Sequence, residues 1–480
     1  MSSFELTSPL TLTIGGEAVP GEGLIDVINP ATGAPFAQMP AASRAQLDAA
    51  FAAADKAFGD WSSDEDRRRK VLVAMADAVE AATEEIVVIL TAEQGKPLHE
   101  SRRELGVAVA WLRYYAGLEV APEVLRDDSE ARAEVVRRPL GVVAAIAPFN
   151  FPVFIGIAKV APALRAGNTV VLKPSPYTPL STLRVGEILR DIVPAGALNI
   201  VSGSDELGPM MTTHPLTRAI TFTGSTGVGR KIAAAAVADF KRLVLEMGGN
   251  DPAIVLDDVD VDYVADQLFA RGFNNNGQAC VAAKRIYVPK SLRPAIVDAL
   301  ADRARAAKVG DGFRPDTQLG PLNNAPQRDR VVDLVDEAVA KGASVAAGGH
   351  RIDGPGYFYE PTILSGLSDG VRVVDEEQFG PVLPIVEYDD VEDAVRRANS
   401  GKFGLGGSVW GGDTDRAAAI AQRLDTGSAW VNTHTAMSTD FPFGGAKWSG
   451  LGIEGGRWGI EGVTDPQMIY TAKATGTARS

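Results

Sequence analysis

From Val142 onward, short and almost wholly apolar runs alternate with longer helical segments. The apolar runs cover residues 142–147, 169–172, 198–201, 220–222 and 243–245. Strands that are apolar on both faces are typical of a parallel sheet covered by helices on each side. A second alternation runs from residue 253 to 430, with helices predicted over 262–273, 292–307 and 328–341. The pattern therefore predicts two α/β domains in sequence.

The chain before residue 142 has a different texture. Residues 1–40 are rich in Gly, Pro and Thr, which predicts short strands and turns. Ala-rich amphipathic segments at 47–58 and 67–90 predict helices, and the segment 93–97 predicts a helix end. The partly alternating residues 131–138 predict an exposed strand, and residues 468–473 predict a last strand near the end of the chain.

Composition limits the class of protein and its partners. With 480 residues the chain is too long for one ordinary core, and 45% hydrophobic with 22% charged residues is typical of a soluble globular protein. No stretch approaches the roughly 18 apolar residues of a membrane span, and the first residues lack a secretory signal. A net charge of −14 argues against nucleic acid as the main partner.

The numbers of cysteines and histidines predict a protein that works in a reducing compartment and has no structural metal site. The chain contains one cysteine, so an internal disulfide is excluded and a cytoplasmic location is expected. The same count excludes a thiolate-rich metal site, and the four histidines show no ligand-like spacing. We therefore predict no bound metal.

The single cysteine, Cys280, lies a short distance along the chain from Glu246, and both have glycines close by. A thiol with a nearby carboxylate is the arrangement of a nucleophile and its base. A lone cysteine is about as often a small buried hydrophobic residue. These two residues alone leave both interpretations open.

Three further segments carry polar residues where predicted strands end. The glycine-rich turn 221–229 leads from a strand into a helix, which suits either dinucleotide phosphates or a plain tight turn. Lys173 ends a strand, where it would meet a ribose or phosphate or simply face solvent. Asn150 lies between two prolines and two aromatic residues, as a rigid oxyanion donor or as an ordinary turn asparagine.

Together these segments resemble the aldehyde dehydrogenase superfamily, from about residue 25 to 473. The separation of Glu246 and Cys280 also matches the family. The matching motifs are 148–152, 173–175, 222–226, 245–249, 277–280, 377–381 and 442–445. The resemblance implies an α/β fold with a Rossmann-like cofactor domain, a second α/β catalytic domain and a small β oligomerisation arm. It places the NAD(P)-binding domain at 1–120 and 141–246, the catalytic domain at 247–448, and the arm and tail at 121–140 and 464–480.

The resemblance also assigns chemical roles. Cys280 would attack the aldehyde carbon, and the oxyanion would be held by the Asn150 amide and the Cys280 N–H. After hydride transfer to the nicotinamide, Glu246 would activate water to hydrolyse the thioester. Lys159 would favour the thiolate, while Glu454 would lie on the proton path or form a structural salt bridge.

Two alternatives to hydrolysis follow from the same family. Relatives that pass the acyl group to coenzyme A generally lack the glutamate at the position of Glu246, so its presence favours a free carboxylic acid. A catalytically silent homologue with a binding or structural role is the other alternative. The presence of Cys280, Glu246 and Asn150 together argues against it.

The resemblance implies that the cofactor is NAD. The residues expected to hold it lie between Ala147 and Phe379. This set is Ala147, Pro148, Phe149, Lys173, Ser175, Pro176, Gly203, Gly224, Ser225, Gly248, Glu377 and Phe379. Many NAD-preferring members carry a glutamate at the position of Pro176, where it repels a 2′-phosphate. Because that charge is absent here, we expect NADP to be tolerated.

The substrate and the assembly are implied less directly. The positions that match the family tunnel are Trp111, Phe151, Ala158, Ala279, Val281, Met437 and Phe443. None is an arginine, which favours a neutral, aromatic or amino aldehyde over a dicarboxylic semialdehyde. Asp440 and His434 are expected at the surface. Residues 130–138 and 468–472 match the family's oligomerisation strands, so a homodimer or homotetramer is expected.

Overall fold

Two large sheets organise the chain, whose computed structural model describes residues 8–473. The first elements are β1 (Leu12–Ile14), β2 (Glu17–Val19), β3 (Gly23–Asn29), β4 (Ala34–Ala41), α1 (Arg44–Ser63), α2 (Glu65–Ala81), α3 (Thr83–Gln94), α4 (Leu98–Gly117), β5 (Glu123–Asp127) and β6 (Ala131–Pro139). They are followed by β7 (Val142–Ile146), α5 (Pro152–Ala166), β8 (Thr169–Lys173), α6 (Leu180–Leu189), β9 (Leu198–Ile200), α7 (Leu207–Thr213), β10 (Thr217–Thr223), α8 (Thr226–Ala236) and β11 (Arg242–Glu246).

The second half begins directly after Glu246. Its first elements are β12 (Asp251–Val255), α9 (Val261–Gly272), β13 (Ala283–Pro289), α10 (Arg293–Ala306), α11 (Ala325–Ala340), β14 (Ser344–Ala347), β15 (Thr362–Leu367), α12 (Arg372–Asp375), β16 (Val382–Tyr388) and α13 (Val391–Asn399). The last elements are β17 (Phe403–Gly404), β18 (Gly406–Trp410), α14 (Thr414–Ala421), β19 (Ser428–Val431), β20 (Ala446–Lys447), β21 (Gly450–Leu451), α15 (Gly456–Gly462) and β22 (Thr464–Ala472).

The first sheet has eight strands in the order β2-β1-β9-β8-β7-β10-β11-β21. Its five central strands, β9 to β11 in that order, are parallel to one another. These are the five apolar runs, and strands β7, β8 and β9 are buried along nearly their whole length. The predicted parallel sheet with helices on both faces is therefore confirmed.

The second sheet has seven strands in the order β14-β15-β16-β13-β12-β18-β19. All of its neighbouring pairs are parallel except β14 with β15, at one edge. Helices α9, α10 and α11 begin and end within three residues of the predicted limits. The predicted second α/β unit is confirmed.

A separate three-stranded antiparallel sheet, β22-β6-β5, forms the arm. Strand β22 pairs with β6 from Thr464 opposite Pro139 to Ala472 opposite Ala131, and after Thr464 its side chains are exposed. The small β arm of the predicted fold class is thus present. The domain boundaries stay a prediction, and their parts before residue 8 and after residue 473 lie outside the described residues.

One helix prediction is wrong in its extent. The segment 67–90 forms parts of two helices, α2 and α3, which meet at Ala82 with φ −96° and ψ 9°. Helix α3 begins with Glu84 and Glu85 in its first turn, where carboxylates stabilise the positive end of a helix. The predicted helix end at 93–97 is confirmed, because α3 stops at Gln94 and Gly95 takes φ 98°. Over the described part of the chain, no helix is long and apolar enough to cross a membrane.

Candidate active site

The carboxyl ends of the parallel strands bring the predicted cofactor residues to one edge of the first sheet. Ile146, the last residue of β7, lies opposite both Lys173 of β8 and Phe222 of β10. Thr223, the last residue of β10, lies opposite Glu246 of β11. The loops that follow these strand ends therefore share one crevice, which is where open α/β sheets bind ligands.

The glycine-rich turn joins β10 to a capped helix. Ser225 is the N-cap of α8, and its hydroxyl oxygen accepts a hydrogen bond from the Val228 N–H at 3.4 Å. The Gly224 N–H donates to the Glu246 carbonyl at 3.0 Å, and a Cβ on Gly224 would lie 2.5 Å from the Phe222 ring. This turn permits close approach to the N-terminus of α8, which favours an anion.

Lys173 is buried at the end of β8, where few groups compete for its ammonium. Within residues 8–473 its Nζ donates one hydrogen bond, to the Pro174 carbonyl at 3.3 Å. Burial lowers the pKa of Lys173 to about 8, and the charge of Asp205 opposes that shift. Ser175 and Pro176 follow in the same turn, and the Tyr177 N–H donates to the Ser175 hydroxyl. The remaining donors of Lys173 are suited to a ribose hydroxyl.

Glu377 and Phe379 approach the same crevice from the second sheet. The Glu377 carboxylate accepts from the Gly249 N–H at 3.3 Å, and burial raises the pKa of Glu377 to about 7. A Cβ on Gly248 would collide with that carboxylate, so any larger residue there would displace the Glu377 side chain. Phe379 takes φ 50°, and its ring lies 5.7 Å from that of Phe149 in an edge-on contact.

These groups fit a nicotinamide dinucleotide. In the described part of the chain, the buried Thr223 hydroxyl and both Glu246 carboxylate oxygens lack a hydrogen-bond partner. Ala147 and Pro148 follow β7, and Gly203, with φ 159°, follows the end of β9. The unpartnered Thr223 hydroxyl, the N-terminus of α8 and the sparsely bonded Lys173 leave donors and acceptors for phosphate and ribose.

The segment before Cys280 is held in an unusual backbone conformation. Asn275, Asn276 and Gly277 have φ values of 50°, 56° and 74°, all in the left-handed region. Asparagine and glycine tolerate that region better than other residues, and such strain is common at functional sites. A Cβ on Gly277 would collide with the Gly380 carbonyl, so residue 277 must be a glycine. We call residues 274–280 the nucleophile loop.

Asn150 is tied to the nucleophile loop through both its side chain and its main chain. Its Nδ2 donates to the Gln278 carbonyl at 2.9 Å, and its own carbonyl accepts from Asn275 Nδ2 at 2.9 Å. The other Asn150 side-chain atom, Oδ1, is buried without a partner among the described residues. The sequence alone did not decide whether Asn150 is an oxyanion donor or an ordinary turn residue. The structure brings its amide to the backbone of Gln278, two residues before Cys280.

Cys280 lies among more negative than positive charges. Its side chain keeps partial exposure. Burial raises the pKa of Cys280 to about 12, with the charge of Glu377 as the next cause, while Lys284 opposes the shift. Lys284 donates from Nζ to the Ala279 carbonyl at 2.6 Å, which puts a buried cation beside the nucleophile loop. The thiol is therefore largely neutral until a positive charge or a substrate changes its surroundings.

Lys159 and Glu454 form a buried network on the side of Glu246. Lys159 Nζ lies 2.7 Å from Glu454 Oε1 and donates to the Thr221 hydroxyl at 3.2 Å. Burial raises the pKa of Glu246 well above its usual range, Glu454 adds to that shift, and Lys159 opposes it. The structure thus pairs the Lys159 ammonium with Glu454, and the positive charge that opposes the raised pKa of Cys280 is that of Lys284.

The predicted tunnel residues divide into a buried and an exposed group. Trp111, Ala158, Ala279 and Val281 are buried, and the Trp111 ring meets Phe154 edge-on at 5.4 Å. Phe151 is half-buried. Met437 is 40% exposed and lines a cavity of about 300 Å³ with Phe443, Trp430 and Phe441.

The expectation for His434 is wrong, and that for Asp440 is right. Asp440 is exposed. His434 is fully buried, with Nδ1 at 2.8 Å from the Ser408 hydroxyl and its ring 5.0 Å from Trp430. The loop after β19 folds back over the second sheet, and that return buries the imidazole 3.7 Å from the Asp251 carboxylate.

Comparison with known proteins decides the family. The sequence pattern described as the Aldehyde dehydrogenase family matches residues 18–469. This chain belongs to the aldehyde dehydrogenase family. It is 40% identical to the mitochondrial succinate-semialdehyde dehydrogenase of Arabidopsis thaliana, over 91% of this chain and 84% of that protein. It is 36% identical to the phenylacetaldehyde dehydrogenase of Pseudomonas fluorescens, over 97% of each protein.

A solved structure agrees with the sequence comparison. The NAD⁺ complex of an aldehyde dehydrogenase from Bacillus cereus superposes with a TM-score of 0.95 at 32% identity, covering 97% of both chains. The protein is thus an NAD(P)-dependent aldehyde dehydrogenase, with the Rossmann-like and catalytic domains expected of the family.

Sequence reasoning missed several buried charges of this aldehyde dehydrogenase. Lys284 and Arg285 interrupt the otherwise apolar strand β13, a signal that could have marked Lys284. Lys96 and Glu104 are both fully buried, yet they occur in a helix end and an amphipathic helix where charges usually face solvent. Their burial follows from contacts with Asn150 and α5, which the sequence does not reveal.

Proposed function

We propose that this aldehyde dehydrogenase converts an aldehyde to a free carboxylic acid through a thiohemiacetal and then a thioester on Cys280. The observation that carries this proposal is the hydrogen bond from Asn150 Nδ2 to the Gln278 carbonyl, which attaches an amide donor to the loop of the only cysteine. A nucleophile and a rigid donor held together are what carbonyl addition requires.

In the first step Cys280 loses its proton to water, and the resulting thiolate sulfur bonds to the aldehyde carbon while the electron pair of the C=O bond moves to oxygen. The oxygen that gains negative charge is held by the Asn150 amide and by the Cys280 N–H, and removing one such donor typically costs about 3 kcal/mol of barrier. Lys284 supports the thiolate before attack, because its ammonium is the charge that opposes the raised thiol pKa. The nicotinamide, when bound, supplies the hydride acceptor, and Lys173, Ser225 and Glu377 are the residues placed to hold the cofactor.

In the second step Glu246 takes a proton from water that attacks the thioester, the carbon–sulfur bond breaks, and the Cys280 thiolate leaves as the acid is released. Its two carboxylate oxygens lack partners among residues 8–473, so both can accept a hydrogen bond from that water. Its raised pKa makes it a stronger base once ionised. Lys159 and Glu454 tune this group, because they shift its pKa in opposite directions.

We propose a neutral, aromatic or amino aldehyde as substrate, with a semialdehyde as the alternative. The relatives bear the names of a succinate-semialdehyde and a phenylacetaldehyde dehydrogenase, so identity does not choose between these classes. The tunnel positions support the first class, since Trp111, Ala158 and Val281 are apolar and buried. A carboxylate-bearing aldehyde would bury its charge against these apolar positions, none of which is a cation, and such burial is costly.

An aldehyde panel assayed with both cofactors tests substrate and cofactor together. We expect phenylacetaldehyde or an aliphatic aldehyde to exceed succinate semialdehyde in kcat/KM. We also expect the NAD to NADP ratio of kcat/KM to stay below about a thousand, or roughly 4 kcal/mol, because Pro176 carries no charge. A clearly higher kcat/KM for succinate semialdehyde would contradict the substrate proposal. A larger NAD to NADP ratio would contradict the tolerance of NADP.

We propose that the enzyme is a cytoplasmic homodimer or homotetramer joined through the arm. Strands β22 and β5 are the two edges of the arm sheet, and both leave backbone groups open to another strand. Apolar side chains are exposed on the same strands, among them Leu125 at 59% and Met468 at 58%. Light scattering should give a mass of at least two chains, and a monomer at micromolar concentration would contradict this proposal.

A further inference from the structure

A buried ion pair lies directly behind the proposed oxyanion donor. Lys96 Nζ lies 2.6 Å from Glu104 Oε2, and the side chains of both residues are completely buried. Lys96 belongs to the turn between α3 and α4, while Glu104 lies in α4. Nothing in the proposed reaction uses either residue directly, yet charges are rarely buried without a partner or a purpose.

The pair contacts the backbone at Asn150 and at the start of α5 just after it. Lys96 Nζ donates to the Asn150 carbonyl at 2.7 Å and lies 3.9 Å from the centre of the Phe151 ring. The Glu104 carboxylate accepts from the Val153 and Phe154 N–H groups, at 3.0 and 3.1 Å. The pair therefore fixes the carbonyl of Asn150 and the first turn of α5 with charge-assisted hydrogen bonds, which are about twice as strong as neutral ones.

We propose that Lys96 is a positioning residue for the oxyanion donor: by holding the Asn150 carbonyl, it orients the Asn150 amide toward the aldehyde oxygen. This inference rests on the proposed role of Asn150. The Asn150 side chain has one bond of its own, to Gln278, and its Oδ1 has none within the described structure. Its direction therefore depends on how firmly the main chain is held.

Stability alone does not account for the pair. A buried ion pair seldom stabilises a fold more than apolar side chains of the same size would. What an apolar pair could not provide is a cationic donor at the Asn150 carbonyl. A misplacement of about 1 Å in a catalytic group can reduce a rate by about a hundredfold. A donor that fixes the position of Asn150 therefore affects the rate without touching the substrate.

The test compares Lys96→Met with Asn150→Ala in the full-length enzyme, using the first turnover of NADH formation. We expect Lys96→Met to slow this step by about 10- to 100-fold, with the KM for NAD within about twofold of wild type. Asn150→Ala should slow it by about 10²- to 10³-fold. The double variant should be no more than about threefold slower than Asn150→Ala alone, because both changes act on one group.

Two further measurements separate positioning from general damage. Alkylation of Cys280 by iodoacetamide forms no oxyanion, so its rate in Lys96→Met should stay within about twofold of wild type. Lys241 offers a matched control, since it is a buried lysine whose Nζ donates to the Thr212 and His214 carbonyls away from the nucleophile loop. Lys241→Met should lower the melting temperature and leave the first turnover unchanged.

Removing Lys96 alone leaves the buried Glu104 side chain without its cationic partner, so Lys96→Met/Glu104→Gln is made in parallel. The oxygen of the substituted amide can still accept from the N–H groups of α5, and this variant carries the test if the single one does not fold. Lys96→Arg keeps a cationic donor, so its first turnover should be close to that of the wild-type enzyme. This variant provides the test if neither of the other two folds.

The outcomes separate the two proposals. A normal first turnover in Asn150→Ala would overturn the oxyanion role itself. A slow Asn150→Ala beside a normal Lys96→Met, or Lys96→Met/Glu104→Gln, would overturn only the role of Lys96. Fully multiplicative losses in the double variant, equal loss of iodoacetamide reactivity, or a Lys96→Arg enzyme as slow as Asn150→Ala would also overturn that role.

Discussion

Replacing Cys280 with alanine should abolish aldehyde oxidation and leave cofactor binding intact. The chain has no other thiol, so no second cysteine can replace the nucleophile. Loss of a catalytic nucleophile typically costs about 10⁶-fold in kcat, with residual activity from binding and oxyanion stabilisation. We therefore expect NADH formation to fall at least about 10⁴-fold. Stopped-flow NADH absorbance with a neutral aldehyde measures the loss, and titration of protein fluorescence with NAD measures binding.

The fold of the variant should be unaffected, which makes the result interpretable. Ala279 and Val281 beside the thiol are buried, and the loop is held by Gln278, whose Oε1 accepts from the Asn323 N–H at 2.9 Å. None of these contacts uses the sulfur. Cys280→Ser is the matched control, because it keeps the shape of the side chain but offers a weaker nucleophile, so it should be nearly as inactive. The melting temperatures of both variants should match wild type.

This experiment also decides between catalysis and a silent binding role. A silent homologue would show no NADH formation in the wild-type enzyme across the panel. A Cys280→Ala enzyme with a normal rate would instead contradict the proposed covalent mechanism.

The sequence predicted the fold class and the family because both depend on local patterns. Five apolar runs with helices between them specify a parallel sheet, and the motifs around Lys173, Gly224 and Glu246 follow the strand ends of that sheet. The limits of these five strands are within three residues of prediction, whereas β22 begins four residues before the predicted start at residue 468. Hydrophobic patterns of this kind lie within short windows of sequence, so they can be recognised without knowing the contacts made in the folded chain.

The electrostatic partners could not be predicted in the same way, because they come from distant parts of the chain. Lys159 meets Glu454 across 295 positions, and Lys96 meets the Asn150 carbonyl across 54. Nothing in the local sequence marks Lys96 as buried, since a lysine in a helix-ending turn usually faces solvent. His434 was misplaced for the same reason: its burial depends on a loop that returns over the second sheet to Ser408.

Replacing Glu246 with glutamine should separate the two halves of the reaction. Formation of the thioester does not require a base at this position, whereas its hydrolysis does. We expect a burst of about one NADH per subunit, followed by turnover slowed by about 10²- to 10⁴-fold, the usual contribution of a general base. Stopped-flow absorbance measures burst and steady state in one trace, and mass spectrometry of the quenched enzyme should show the acyl group on Cys280.

The pH dependence of hydrolysis gives an independent check. Burial and the charge of Glu454 raise the pKa of Glu246, so the base is protonated at low pH and hydrolysis should speed up as pH rises through that pKa. Glu454→Gln removes a negative charge and frees Lys159 from its ion pair, and both changes favour the Glu246 carboxylate. The rising limb should therefore move to lower pH in Glu454→Gln and disappear in Glu246→Gln.

The same trace tests transfer to coenzyme A, the alternative to hydrolysis. If water is the acceptor, adding coenzyme A to the wild-type enzyme should change neither the steady-state rate nor the product, which stays the free acid. Formation of an acyl thioester of coenzyme A, or a Glu246→Gln enzyme without a burst and with normal turnover, would contradict the hydrolytic role. Because both Glu246 oxygens lack a hydrogen-bond partner in the described structure, while Lys159 is paired with Glu454, we expect Glu246 to accept the proton of water.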